Sequence, residues 1–94
     1  MPYAPKLVLK TPVSDWTLLK PFVEACVRDS VVLVAVVGPD PDEIEDLIDD
    51  ILIDADIDSD RIFVTSSHPG ETVEEVLEFA SFWSASGEVQ LVRL

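Results

Sequence analysis

The chain has 94 residues, 48% of them hydrophobic, and its nineteen acidic against six basic side chains give a formal charge of −13. That length supports one domain burying about 60–65% of its unfolded surface, and the apolar content excludes a disordered chain. A field of this sign repels phosphate, so nucleic acid and anionic lipid surfaces are excluded as expected partners.

Eleven aspartates against three lysines fit simple solubility, a halophilic adaptation or a basic partner, and composition leaves all three open. A single cysteine, Cys26, allows no internal disulfide. With no basic-then-apolar leader at Met1–Pro5, the expected compartment is the reducing cytoplasm. The longest apolar run, Val31 to Val37, is far short of the roughly 20 residues that span a bilayer, so no membrane partner is expected.

Taken in chain order, residues 1–13 form an extended N-terminal segment of a single domain covering 1–94. Within it, Lys6 to Lys10 reads as a short edge strand, because lysines at both ends discourage further pairing and Pro2, Pro5 and Pro12 bracket it. From Ser14 to Asp29, Trp16, Leu19, Phe22, Val23, Cys26 and Val27 recur at helical spacing. Pro21 either kinks that helix or opens its main part, so a loose first turn should precede a firmer stretch from about Pro21 to Arg28.

Val31–Val37 has the unbroken apolar pattern of a strand covered on both faces. Gly38-Pro39 ends it. Asp40, Pro41 and Glu43 then predict a helix start with a capping side chain and a reciprocal carboxylate. Ile44, Leu47, Ile48, Ile51 and Leu52 make one apolar face of that helix, and Asp42, Glu45, Asp46, Asp49 and Asp50 an acidic one. An acidic loop leads to a second buried strand, Arg61 to Thr65, followed by a loop from Ser66 to Gly70. Thr72 and Glu75 form a capping box for a third helix reaching about Trp83 and burying Val73, Val76, Leu77, Ala80 and Trp83. Ser84–Gly87 is turn material, and Val89–Leu94 a last strand.

Alternating strands and helices of this kind predict an α/β fold. The expected form is a small three-layer, Rossmann-like or flavodoxin-like arrangement of three to four mostly parallel strands with helices on both faces. The simplest order places Val31–Val37 between the strand ending at Thr65 and Val89–Arg93, with the N-terminal strand at an edge.

In such a fold the loops before the second and third helices share a rim beyond the strand carboxyl ends, where ligands usually bind. The rim collects Asp40, Asp42 and Glu43 from one side and Ser66, Ser67, His68 and Glu71 from the other. Carboxylates already occupy the helix starts that would hold phosphate, and neither a Gly-x-Gly-x-x-Gly nor a Gly-x-x-x-x-Gly-Lys loop is present, so no nucleotide is expected. A hydrolase reading takes Ser66 or Ser67 as nucleophile and His68 as base. Ser66 and His68 share a side of an extended segment, and Asp40 would orient the imidazole. The bland alternative has the serines satisfying a turn, with His68 exposed.

A metal reading combines Asp40, His68 and Glu71 around zinc, manganese or iron, without a second histidine or cysteine at fixed spacing. Asp54-x-Asp56-x-Asp58 fails as a calcium loop, because Ser59 and Thr65 stand where glycine and glutamate are needed. Cys26 falls on an apolar stripe and reads as a core residue. Receiver-type phosphotransfer needs a lysine opposite the aspartate pocket, and no lysine follows Lys20. No cofactor is expected. The aromatic residues Trp16, Phe22, Phe63, Phe79, Phe82 and Trp83 are mostly core by spacing. Phe79 and Phe82 cannot both be buried with Val76 and Ala80, which leaves part of the Phe79–Trp83 surface for a protein partner or self-association.

Three features taken together are familiar: the strand-to-Gly38 junction, the acidic helix ending Ile48-Asp49-Asp50-Ile51-Leu52, and Val64-Thr65-Ser66-Ser67-His68-Pro69-Gly70-Glu71 followed by Val73–Ala80. From about Pro21 to Ala80 the chain resembles a domain-of-unknown-function family of short bacterial α/β proteins with a Thr-Ser-His-Pro segment. The resemblance implies a bacterial, cytoplasmic protein and carries no activity, cofactor or catalytic residue. The leading expectation is therefore a small acidic interaction module without catalytic activity, binding through Asp40, His68, Glu71, Phe79, Phe82 and Trp83. Its rival is a hydrolase-like or metal-binding protein centred on Ser66, Ser67 and His68 with Asp40 and Glu71.

Overall fold

The computed structural model describes residues 3–54, 63–83 and 87–94. Four five-residue strands form one parallel sheet: β1 (Lys6–Lys10), β2 (Leu33–Val37), β3 (Val64–His68) and β4 (Val89–Arg93), in the order β3-β2-β1-β4. Three α-helices connect them: α1 (Leu19–Arg28), α2 (Pro41–Asp54) and α3 (Val73–Phe82). The fold is α/β, and its strand order matches the first four strands of the Rossmann arrangement.

Two successive crossovers step outward from β1 to β3, and the third returns past β1 to β4. Right-handed connections then put α1 and α2 on one face and α3 on the other. The side chains agree. Leu7, Leu9, Val34 and Val36 bury against Leu19, Phe22, Val23, Cys26, Ile44 and Ile48, whereas Val8, Leu33, Ala35 and Val37 meet Val76 and Ala80.

The N-terminal strand is central rather than marginal. It pairs with β2 and with β4, and Leu7, Val8 and Leu9 are fully buried. Its terminal lysines did not mark an edge, because in so short a strand only the middle residues must be apolar; Lys6 is itself buried. The expected order, with β2 between β3 and β4, is accordingly corrected.

A second correction concerns β3. It runs from Val64, with Phe63 outside it, and includes Ser66, Ser67 and His68, whose residue types predict a loop. It is an edge strand, half-buried along most of its length, so its pattern is polar rather than continuously apolar. Arg61 and Ile62 of the predicted strand lie outside the described residues, as do the Ala55–Asp60 part of the acidic loop and Ser84–Ser86.

The helix starts follow their sequences unevenly. Asp15 accepts from Thr17 N–H at 2.9 Å and opens a 3-10 turn, Trp16–Leu18, ahead of α1. Pro21 is the third residue of α1, where no intrahelical N–H donor is required. Trp16 is 52% exposed and is therefore not a core residue. The Thr72–Glu75 capping box forms in both directions. Asp40 instead adopts φ 49°, a left-handed turn rather than the extended backbone of a capping residue.

The carboxyl ends of β1 and β2 are locked together. Thr11 N–H donates to Val37 O at 2.8 Å, and its hydroxyl bonds to Val37 O and Pro39 O. Gly38 sits against this threonine at φ 117°, where an added Cβ would lie 2.7 Å from Thr11 O. Only glycine fits there.

Candidate functional site on the edge strand

The rim anticipated from sequence exists, because β2 and β3 are adjacent and parallel. A cleft of about 400 Å³ lies beyond their carboxyl ends, lined by Gly38, Asp40, Pro41, Asp42, Glu43, Pro69 and Gly70. It is acidic and carries no basic side chain, which opposes anion binding at the start of α2. The topological switch point lies elsewhere, between β1 and β4. There Val13 is buried and Ser14 N–H donates to the Leu94 main-chain oxygen at 3.2 Å.

Alternation along β3 sorts its side chains. Val64, Ser66 and His68 face α3, and Thr65 and Ser67 face α2. On the α3 side, Ser66 Oγ lies 2.8 Å from His68 Nε2, and His68 Nδ1 lies 2.8 Å from Glu71 Oε2. An ionised carboxylate only accepts, so Nδ1 carries the proton, and in the neutral ring Nε2 accepts from the serine hydroxyl. The Phe79 ring covers the imidazole, with centroids 4.7 Å apart and a tilt of 57°. His68 is 7% exposed, buried rather than open at the rim.

Glu71 thus takes the orienting place anticipated for Asp40. Asp40 does not join His68 and Glu71 in a set of three with ligand atoms mutually within 4.8 Å; among the described residues, Glu45, Asp46 and Asp49 make such a set.

On the α2 side, Ser67 Oγ donates to Asp42 Oδ1 and Thr65 Oγ1 donates to Asp49 Oδ1, the latter at 2.9 Å. Glu45 projects from the helix between these two aspartates. Partial burial, then Asp49, Asp46 and Asp42, raise its carboxyl above the usual range, with His68 acting in the opposite sense. Sequence reading missed this pairing of α2 acids with β3 hydroxyls. The available signal was the coincidence of Asp42, Glu45 and Asp49 at i, i+3 and i+7 with hydroxyls at alternate β3 positions.

Phe82 is 81% exposed, and Phe79 and Val64 are each 38% exposed. Trp83, read both as buried by this helix and as part of the patch, is partly buried against the α3-side core. Cys26 is fully enclosed, and burial, with a smaller contribution from Asp29, pushes its thiol up to about 12.

Ser66, His68 and Glu71 have the connectivity of nucleophile, base and orienter. Two features weigh against chemistry. Ser66 sits within a regular strand, and neither Ser66 nor His68 lines the cleft. The relay joins β3 to the turn before α3 beneath the Phe79 ring. The fold and this flank define a four-stranded parallel α/β domain whose β3 edge, unpaired among the described residues, has an aromatic and an acidic side.

The chain belongs to a Domain of unknown function (DUF7684) family, whose model matches residues 1–94. No curated protein and no solved structure matches it. No helix among the described residues is long and apolar enough to cross a membrane.

Proposed function

We propose that this chain is a small acidic protein-interaction module of the bacterial cytoplasm, engaging a protein partner along the flank formed by β3 and α3. The observation that carries this reading is Phe82, 81% exposed one helical turn beyond the partly exposed Phe79. Val64 projects to the same sheet face nearby and is also exposed. On a surface this highly charged, adjacent large apolar side chains cost solubility unless something covers them. The acidic side of the same strand favours a basic partner.

The test is co-purification from the protein's own cells, comparing the native chain with Phe82→Ser. The variant should melt at the native temperature yet lose a protein that the native chain retains. Recovery of the same proteins by both chains overturns the reading, and so does recovery of nothing above an unrelated acidic domain.

A second reading, a hydrolase-like centre, is favoured by the Ser66–His68–Glu71 hydrogen bonds alone. It requires a fluorophosphonate to label Ser66, with labelling lost in His68→Ala. An unlabelled native chain removes it.

A further inference from the structure

We propose that the partner supplies an extended segment, with basic and aliphatic residues alternating, that pairs with the open edge of β3 as a fifth strand. This rests on the interaction reading and names what is bound and how. Val64 N–H donates to Val32 O at 2.9 Å, which fixes which β3 residues bond inward. In a parallel ladder each residue turns its N–H and C=O to the same side. Val64, Ser66 and His68 therefore face β2, and Thr65 and Ser67 direct their backbone groups outward. Among the described residues no strand pairs with that side.

A segment added there would send alternate side chains to opposite faces of the sheet. One set would lie on the Val64, Ser66 and His68 face, beside the Phe79 ring that covers His68. The other would lie over Asp42, Glu45 and Asp49, two of which are already tied to the strand by Ser67 and Thr65. Main-chain pairing supplies affinity in this mode, and the alternating side chains supply specificity. Charge complementarity names the occupant: lysine or arginine at every second position, with aliphatic residues between. A second copy of this chain is opposed, because it would set two acidic rows side by side on molecules of charge −13. The other sheet edge lacks the combination, since β4 shows one exposed aliphatic residue, Leu91, and carries Arg93.

The experiment is fluorescence anisotropy with a labelled seven-residue peptide of alternating lysine and valine. A peptide of equal composition in two blocks is the first control. An alternating peptide N-methylated at the amides that would face β3 is the second. The alternating peptide should bind at least about tenfold more tightly than either control, and Val64→Ser or Glu45→Lys should each weaken it about tenfold. Equal affinity for the alternating and N-methylated peptides overturns strand pairing. No binding of any peptide also overturns it, and if Phe82→Ser still loses a cellular partner, the interaction reading survives that failure. A dimer at micromolar concentration that Thr65→Pro disrupts, by removing an outward N–H of β3, would assign the edge to self-pairing and overturn the proposal.

Discussion

The two faces of the sheet are finished to different degrees. On the α1/α2 face, thirteen buried residues form one cluster in which Phe22, Val23, Cys26, Ile44 and Ile48 cover the middle of the sheet. On the other face, among the described residues, Val8, Leu33, Ala35 and Val37 lie under Val76 and Ala80 of a single helix, and Phe79 and Phe82 of that helix and Val64 of β3 remain exposed. One helix cannot shield four strands. The closed face therefore accounts for most of the folding energy, and the open flank contributes little to it. What the flank does have is a polar relay that fixes its shape, the property a binding surface needs more than it needs burial.

The comparison is broken most forcefully from the closed face. Phe22 is 3% exposed and meets Tyr3 edge-on at 5.5 Å. Phe22→Ala should cost about 3–5 kcal/mol in denaturant unfolding. A loss under about 1 kcal/mol would mean that the closed face is not the stabilising one. Gly38→Ala comes next, at about 2–4 kcal/mol, because its Cβ collides with Thr11 O at a backbone angle disfavoured for L-residues.

His68→Ala sharpens the contrast rather than breaking it. Ser66 and Glu71 lose their partner but remain within reach of water, so the cost should be about 1–2 kcal/mol. Hydrogen exchange should quicken in β3 and α3 and stay unchanged in β1 and β2. Uniform quickening would show that the relay is integral to the core.

The smallest effect is Glu45→Gln. Because the folded state raises this carboxyl, its ionised form opposes folding above the folded pKa, and the penalty disappears below the unfolded value of about 4.5. The variant should therefore be slightly more stable at pH 7, by no more than about 0.5 kcal/mol, with the gain fading as the medium is acidified. A gain independent of pH would point to packing instead of charge.

How far these regions were legible in the sequence follows the same division. The valine run of β2, the apolar stripe of α2 and the Thr72–Glu75 box are strong local signals, and each lies where it was read. The wrong assignments sit where local and tertiary demands differ. Lys6 and Lys10 flank only three apolar residues, and nothing local reveals that those three are paired on both sides. Ser66 and Ser67 look like turn residues, yet an edge strand tolerates hydroxyls that find acceptors on α2 and on His68. That Ser66 and His68 share a side followed from alternation alone. The identity of the carboxylate at Nδ1 did not, because it depends on the turn at Gly70 bringing Glu71 back under the ring.

Cys26 gives the closed face a gauge of its own. A thiol reagent in excess can reach that sulfur only when α1 lifts from the sheet, so the labelling rate in native buffer counts those openings one molecule at a time. At lower reagent, where closing outpaces labelling, comparison with an unstructured peptide carrying the same cysteine yields the free energy of opening without any denaturant. The same enclosure should keep stored samples free of cross-linked pairs.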